Sequence, residues 1–181
     1  MRKMYFIFML CALLIITAAC GKKEVSPRAI DEKNDKCAQC NMSVMDNQFA
    51  TQLILKNGKT FVFDDIGCMY KWKSENKNEN IEAEFVRDYH SKEWVESDKA
   101  TYVYDQSIRT PMAYNVISFQ DKKDAEAFIS KNSGKILNFD QLQDHKWKMN
   151  KEMMEKNMQA GHTDMNGDHS HMDEGNDHSH E

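Results

Sequence analysis

Asn57-Gly58 stands between two apolar runs, residues 49–56 and 59–64, and this dipeptide constrains the fold more than any other feature of the chain. Asn-Gly flanked by apolar segments is the strongest short-range signal of a β-hairpin, because both residues accept the left-handed backbone of a tight turn. Asp64 and Asp65 follow the second run. A carboxylate there can cap a helix by accepting orphan backbone N–H groups, so residues 66–73 are predicted as a helix and 74–80 as a charged loop. Further on, residues 84–89, 100–104, 114–119 and 135–139 read as strands, with 94–98 leading into the second of these. Residues 121–131 read as a helix, with Ala125, Phe128 and Ile129 at helical spacing. Residues 141–158 are helix-compatible. Phe63-Asp64-Asp65 and Phe119-Gln120-Asp121 each open a helix after a pair of apolar strands. The expected class is therefore α+β: two small related strand-strand-helix units, then a C-terminal helix and a disordered His/Met-rich tail.

The first twenty residues are a different material. Arg2 and Lys3 precede an almost unbroken apolar run over residues 4–16, and Thr17-Ala18-Ala19 is a small-residue exit. That is the pattern of a signal peptide, too short to span a membrane comfortably. Cys20 follows at once, so residues 1–19 are expected to be removed and Cys20 to carry an acyl chain such as palmitate. An exposed free thiol would otherwise be a liability. Each buried CH₂ contributes about 0.8 kcal/mol, which would tether the mature protein to the extracytoplasmic face of the cell membrane. Cys11 falls in the removed segment. Residues 20–36 are polar and charged and read as the lipid-anchored linker. The formal net charge of −5 gives nucleic acid no footing as a partner.

Cys37-Ala38-Gln39-Cys40-Asn41-Met42 places two thiols and a thioether within six residues. Four readings compete. A disulfide between Cys37 and Cys40 is common outside the cytosol. A thioredoxin-type pair wants a βαβ context. A structural zinc site takes Cys and His and makes no use of Met. Soft donors together select Cu(I), and Met42 beside the thiols favours that reading without closing the others. Cys68 and Met69 lie on the predicted helix, where buried core is the expected role. Asp64 and Asp65 are expected as caps, with an outer hydrogen bond to a metal as a second role for either. His90 sits in a predicted turn, exposed to solvent.

The C-terminal residues form a separate signal. His162, His169, His171, His178 and His180 alternate with acidic residues, Met165 and Met172, with no Lys or Arg from Gly161 onward. Such a segment cannot build a core, and imidazoles in this density bind metals. Residues 159–181 are expected to act as an auxiliary metal-collecting arm. Before it, Met149, Met153, Met154 and Met158 mark residues 143–158 as a Met-rich helical extension.

Several ordered motifs resemble those of the NosL family, membrane-anchored copper proteins of nitrous oxide reductase assembly. Residues 37–44 resemble its CxxCGM segment, and 63–69 (FDDIGCM) its F-DD-GCM segment. Asp88-Tyr89, Glu93-Trp94-Val95 and residues 100–103 resemble its middle, Thr110-Pro111-Met112 its TPM segment, and residues 124–128 its DAEAF helix. The resemblance spans residues 37–142. It departs at Asn41, where the family has Gly, and at Ala113-Tyr114-Asn115, where the family has Gly-x-Gly. The resemblance implies a non-enzymatic Cu(I) chaperone with an α+β fold, delivering Cu(I) to the copper–sulfur site of nitrous oxide reductase or to its maturation machinery. It also implies Cys40, Met42 and Met112 as ligands; Cys37 reads either as a further donor or as a redox partner that protects Cys40. Two other functions remain open: an extracytoplasmic thiol–disulfide oxidoreductase using Cys37 and Cys40, and a zinc- or copper-buffering lipoprotein working through its His-rich tail.

Overall fold

The computed structural model describes residues 25–156. The stretch expected as a signal peptide, Cys20 and the His-rich segment lie outside these residues. The Asn57-Gly58 hairpin forms: β1 (Thr51–Leu55) pairs antiparallel with β2 (Thr60–Phe63), Ile54 opposite Thr60. Only Gly58 takes positive φ, at +85°, while Asn57 turns the chain with its side chain, accepting from the Lys59 amide at 3.0 Å. The loop is thus wider than a two-residue turn, and the strands are shorter than the apolar runs.

From β2 the chain enters α1 (Ile66–Glu75) and returns as β3 (Ile81–Arg87), which pairs with β1 and, on its other edge, with β4 (Trp94–Glu96). The strand order is β2-β1-β3-β4. The second unit repeats the plan: β5 (Thr101–Tyr104), β6 (Val116–Phe119), α2 (Lys122–Lys131) and β7 (Lys135–Leu137), ordered β6-β5-β7. Each unit is therefore a ββαβ module in which the first strand lies between the other two, all antiparallel. The echo around Phe63 and Phe119 reflects this shared topology, with β4 an addition to the first copy. Among the described residues no helix is long and apolar enough to cross a membrane.

A buried carboxylate helps to join the units. Asp88 accepts from the amides of His90 (2.9 Å) and Ser91 (2.7 Å) and, across the joint, from that of Gln120 (2.8 Å). Tyr89 N–H bonds to the Ser118 carbonyl, and the Ser118 hydroxyl donates to the Arg87 carbonyl. Burial alone would raise the Asp88 pKa, but these donors overrule it and hold the carboxyl below its ordinary range.

Two segments differ from expectation. The stretch read as a linker is fastened to the domain from Arg28 on. Gln52 is fully buried in β1 and needs partners, which it finds on the Arg28 main chain, at 3.1 Å from the amide and 2.5 Å to the carbonyl. Arg28 also grips Asp35 with both guanidinium nitrogens, and Ile30 packs on the core. Near the C-terminus, one helix over 141–158 is not what forms. α3 (Phe139–Gln143) is a short capped helix, residues 144–150 are irregular, and residues 151–156 are helical again. Packing overrides helix propensity here. Trp147 stacks on Tyr70 of α1 at 4.6 Å, and the Asn150 amide bonds to the Ala113 carbonyl at 2.8 Å.

A candidate soft-metal centre

The cysteine loop is shaped by its own backbone. Cys37 N–H donates to the Met42 carbonyl at 2.8 Å, Asn41 N–H donates to the Cys37 carbonyl at 2.9 Å, and Ala38 N–H ties the loop to Val62 of β2 at 3.0 Å. Closing so tight a turn requires left-handed backbone at Asn41, φ +63°, and asparagine is the side chain that tolerates this best.

β2 then delivers Asp64 and Asp65 to the start of α1, with Cys68 in the first helical turn. The Sγ atoms of Cys37, Cys40 and Cys68 and a carboxylate oxygen of Asp64 all lie within 4.8 Å of one another. Cys40 Sγ sits 3.4 Å from Asp64 Oδ2. Cys37 and Cys68 are only 2% and 1% exposed, while Cys40 is half-buried at the rim. All three are free thiols, so no disulfide joins Cys37 to Cys40.

Four acidic groups in so small a space cannot all ionise. The thiols of Cys40 and Cys68 donate to Cys37, and the amides of Cys40 and Asp64 point at it, so its pKa falls well below that of an ordinary thiol. Cys40, donating to Cys37, is pushed up to about 12. Cys68 is pushed up by its hydrogen bonds to Cys37 and Cys40 and by burial. Burial and the negative charge at Cys37 push Asp64 up to about 7. The metal-free cluster therefore shares one thiolate among several protons. A thiophilic cation would displace those protons as it binds, since metal ligands must be deprotonated.

The second aspartate is structural. Asp65 caps α1, accepting from Gly67 N–H at 2.7 Å, and its other oxygen accepts from the Thr110 hydroxyl at 2.6 Å and the Met112 amide at 3.1 Å. Burial raises its pKa despite these donors. Asp65 thus binds the Thr110–Met112 loop to the helix start that carries Cys68. That loop takes left-handed backbone at Ala113 (φ +53°) and Asn115 (φ +64°), neither of them glycine. Tyr114 between them packs on Gly67, where a Cβ would sit 2.0 Å from the ring. The glycine of the FDDIGCM segment is there to let this loop dock.

Of the residues singled out in the sequence, Cys37 and Cys40 enter the cluster together. Met42 lies on the same loop, half-exposed, with its amide directed at the Cys40 sulfur. Met112 is buried beside α1 and held through its amide by the neighbour of Asp64. Cys68 is buried as expected, and it also faces the other two thiols. His90 is exposed. Sequence reasoning gave Cys68 no ligand role. The available signal was its place three residues after the cap Asp65, which puts it at the end of the helix where Asp64 lies. A cavity of about 810 Å³ lies elsewhere, lined by Tyr104, His145, Lys148 and neighbours, and shares no residue with the cluster.

Fold and cluster define an α+β domain of paired ββαβ units with a thiol-rich pocket at one strand-to-helix junction. The family model for NosL matches residues 27–147, and the chain belongs to that family. The match begins ahead of Cys37 and takes in the fastened segment around Arg28. The chain is 22% identical over 136 residues to the copper-binding lipoprotein NosL of Stutzerimonas stutzeri, covering 68% of this chain and 72% of that protein. Its fold is similar to the crystal structure of the copper chaperone NosL from Shewanella denitrificans, with a TM-score of 0.56 and 24% identity over 64% of this chain and 93% of that one.

Proposed function

We propose that this protein is a Cu(I) metallochaperone, tethered through lipidated Cys20 to the extracytoplasmic face of the cell membrane, that delivers copper to the copper–sulfur site of nitrous oxide reductase. The observation that carries this reading is the convergence of three free thiols at one junction, with a half-exposed thioether on the same loop. The copper-binding and chaperone names of the two relatives support the metal. The donor set supports the monovalent state, because thiolate and thioether favour Cu(I) over harder ions.

Cys40, Met42 and Met112 are the transfer ligands in this reading. The thiolate supplies most of the affinity, and the neutral thioethers are donors a partner can replace. The tail, with His162, His169, His171, His178 and His180, gathers metal ahead of the core site. Binding and hand-over need no catalytic step. An oxidoreductase fits less well, since its attacking thiolate must be reachable and the low-pKa thiol here, Cys37, is buried.

The test is transfer. Reduced protein carrying one equivalent of Cu(I) is mixed with copper-free nitrous oxide reductase, the two are separated, and copper is measured on each. Copper moving to the reductase faster than from free Cu(I) at the same activity is the expected result. Copper that stays behind, or loads equally well without the chaperone, overturns the delivery role.

A further inference from the structure

The transfer ligands leave two of the three clustered thiols without a task. Cys37 and Cys68 are the least exposed donors of the pocket, while Met42 is 50% exposed and Cys40 lies between these extremes. A trigonal ion with metal–sulfur bonds of about 2.3 Å needs its sulfurs roughly 4 Å apart. The three Sγ atoms, mutually within 4.8 Å, meet that requirement with shifts of less than an ångström. Asp64 is a hard donor, which Cu(I) does not need once three sulfurs are present. Its carboxyl group, beside Cys40 Sγ, then stays an outer neighbour of the ion.

We infer that the pocket has two copper positions sharing Cys40: a buried resting position on Cys37, Cys40 and Cys68, and an exit position on the transfer ligands Cys40, Met42 and Met112. The inference rests on the copper reading above and adds Cys68 as a ligand. Its physical basis is access. A partner's sulfur or imidazole cannot reach an ion enclosed by Cys37 and Cys68, so exchange has to begin after the ion shifts to the rim. Three thiolates then set how tightly copper is kept, and Met42 sets how readily it leaves. Retention and release are assigned to different side chains, which lets a scavenging site also be a donating one.

Two measurements on the full chain test this. In the first, selenomethionine-labelled protein with one equivalent of Cu(I) is studied by X-ray absorption. Three Cu–S neighbours and no Cu–Se neighbour are expected. A Cu–Se neighbour in the resting protein overturns the buried position. In the second, Cys68→Ala and Met42→Leu are compared with wild type for Cu(I) affinity and for the rate of loss to bathocuproine disulfonate. Cys68→Ala is expected to weaken binding by roughly tenfold or more and to speed release, since a donor is lost. Met42→Leu is expected to slow release. Wild-type affinity in Cys68→Ala, or unchanged release in Met42→Leu, overturns the two-position scheme while leaving the copper reading intact. A wild-type chain that binds no Cu(I) overturns both.

Discussion

The two ββαβ units share a topology and share almost none of their chemistry. After β2 the chain reads Asp64-Asp65-Ile66-Gly67-Cys68; after β6 it reads Gln120-Asp121-Lys122-Lys123-Asp124. α1 buries six residues, from Ile66 to Trp72, whereas α2 buries only Ala125. Asp65 caps α1 with its side chain and Asp121 makes no such bond to α2. The cause lies in what packs outside each helix. α1 is covered by Tyr114 and Trp147 and faces the cysteine loop, while α2 presents one face to a small cluster around Phe119 and the rest to solvent. The same frame therefore yields a thiol-rich junction where both of its sides are enclosed, and a plain structural unit where one side is open.

If that contrast is right, equivalent substitutions in the two units have unequal consequences. The largest stability difference is expected between Asp65→Ala and Asp121→Ala. The first strips partners from the Gly67 and Met112 amides and the Thr110 hydroxyl, at about 1 kcal/mol or more each, so a loss of about 3 kcal/mol is expected. The second is expected to cost about 0.5 kcal/mol or less, as surface changes do. Urea unfolding of the reduced protein checks both, and equal losses would erase the distinction.

A smaller contrast is expected between Gly67→Ala and Lys123→Ala. A methyl at Gly67 meets the Tyr114 ring and must displace it, for about 2 kcal/mol of overpacking. At exposed position 123 alanine is a better helix former, and the change is expected to fall within about 0.5 kcal/mol of zero. Thermal melts of both variants make the comparison. A well-folded, fully stable Gly67→Ala protein would mean that the Tyr114 loop is not docked on α1.

The smallest effects concern pH, and here two buried aspartates pull in opposite directions. The folded pKa of Asp88 is lowered, so its stabilisation is complete above the ordinary carboxylate range and is lost as pH falls through that lowered value. Asp64 is raised to about 7, so its contribution is present at acid pH and is lost as pH rises from about 4 through about 7. Urea midpoints of the metal-free, reduced protein from acid to neutral pH should show both slopes. Asp88→Asn is expected to flatten the acid limb and Asp64→Asn the neutral one. A profile that neither variant changes would contradict the proton assignments.

Much of the frame was legible because it is written in local chemistry. Asn57-Gly58 announced the hairpin, and Asp65 and Asp121 marked the two helix starts. The β-branched and aromatic residues of Thr101–Tyr104 and Val116–Phe119 announced the second pair of strands. What could not be read locally is what depends on contacts between distant segments. Arg28 is fastened to the domain by the buried Gln52, and the chain breaks its helix at 144–150 where Trp147 stacks on Tyr70 and Asn150 bonds to Ala113. The same holds at the site. Cys37 and Cys40 declared themselves by spacing, but Cys68 looks like any small apolar residue on a buried helix until β2 carries Asp64 and the cysteine loop beside it. Ala113 and Asn115 show the converse. Tertiary docking of Tyr114 holds left-handed backbone on both sides of it, at Asn115, which tolerates it, and at Ala113, which does not favour it.

Cys40 is the one donor shared by the enclosed thiols and the exposed rim. Competition of the reduced full-length protein against a Cu(I) chelator, wild type beside Cys40→Ser, tests it most directly. Loss of the tight site by about a hundredfold or more, about 2.7 kcal/mol, is the predicted outcome, with a smaller loss for Met112→Ala because a thioether is neutral. Wild-type affinity in Cys40→Ser would show that copper is held elsewhere on the chain and would contradict the site assigned to it.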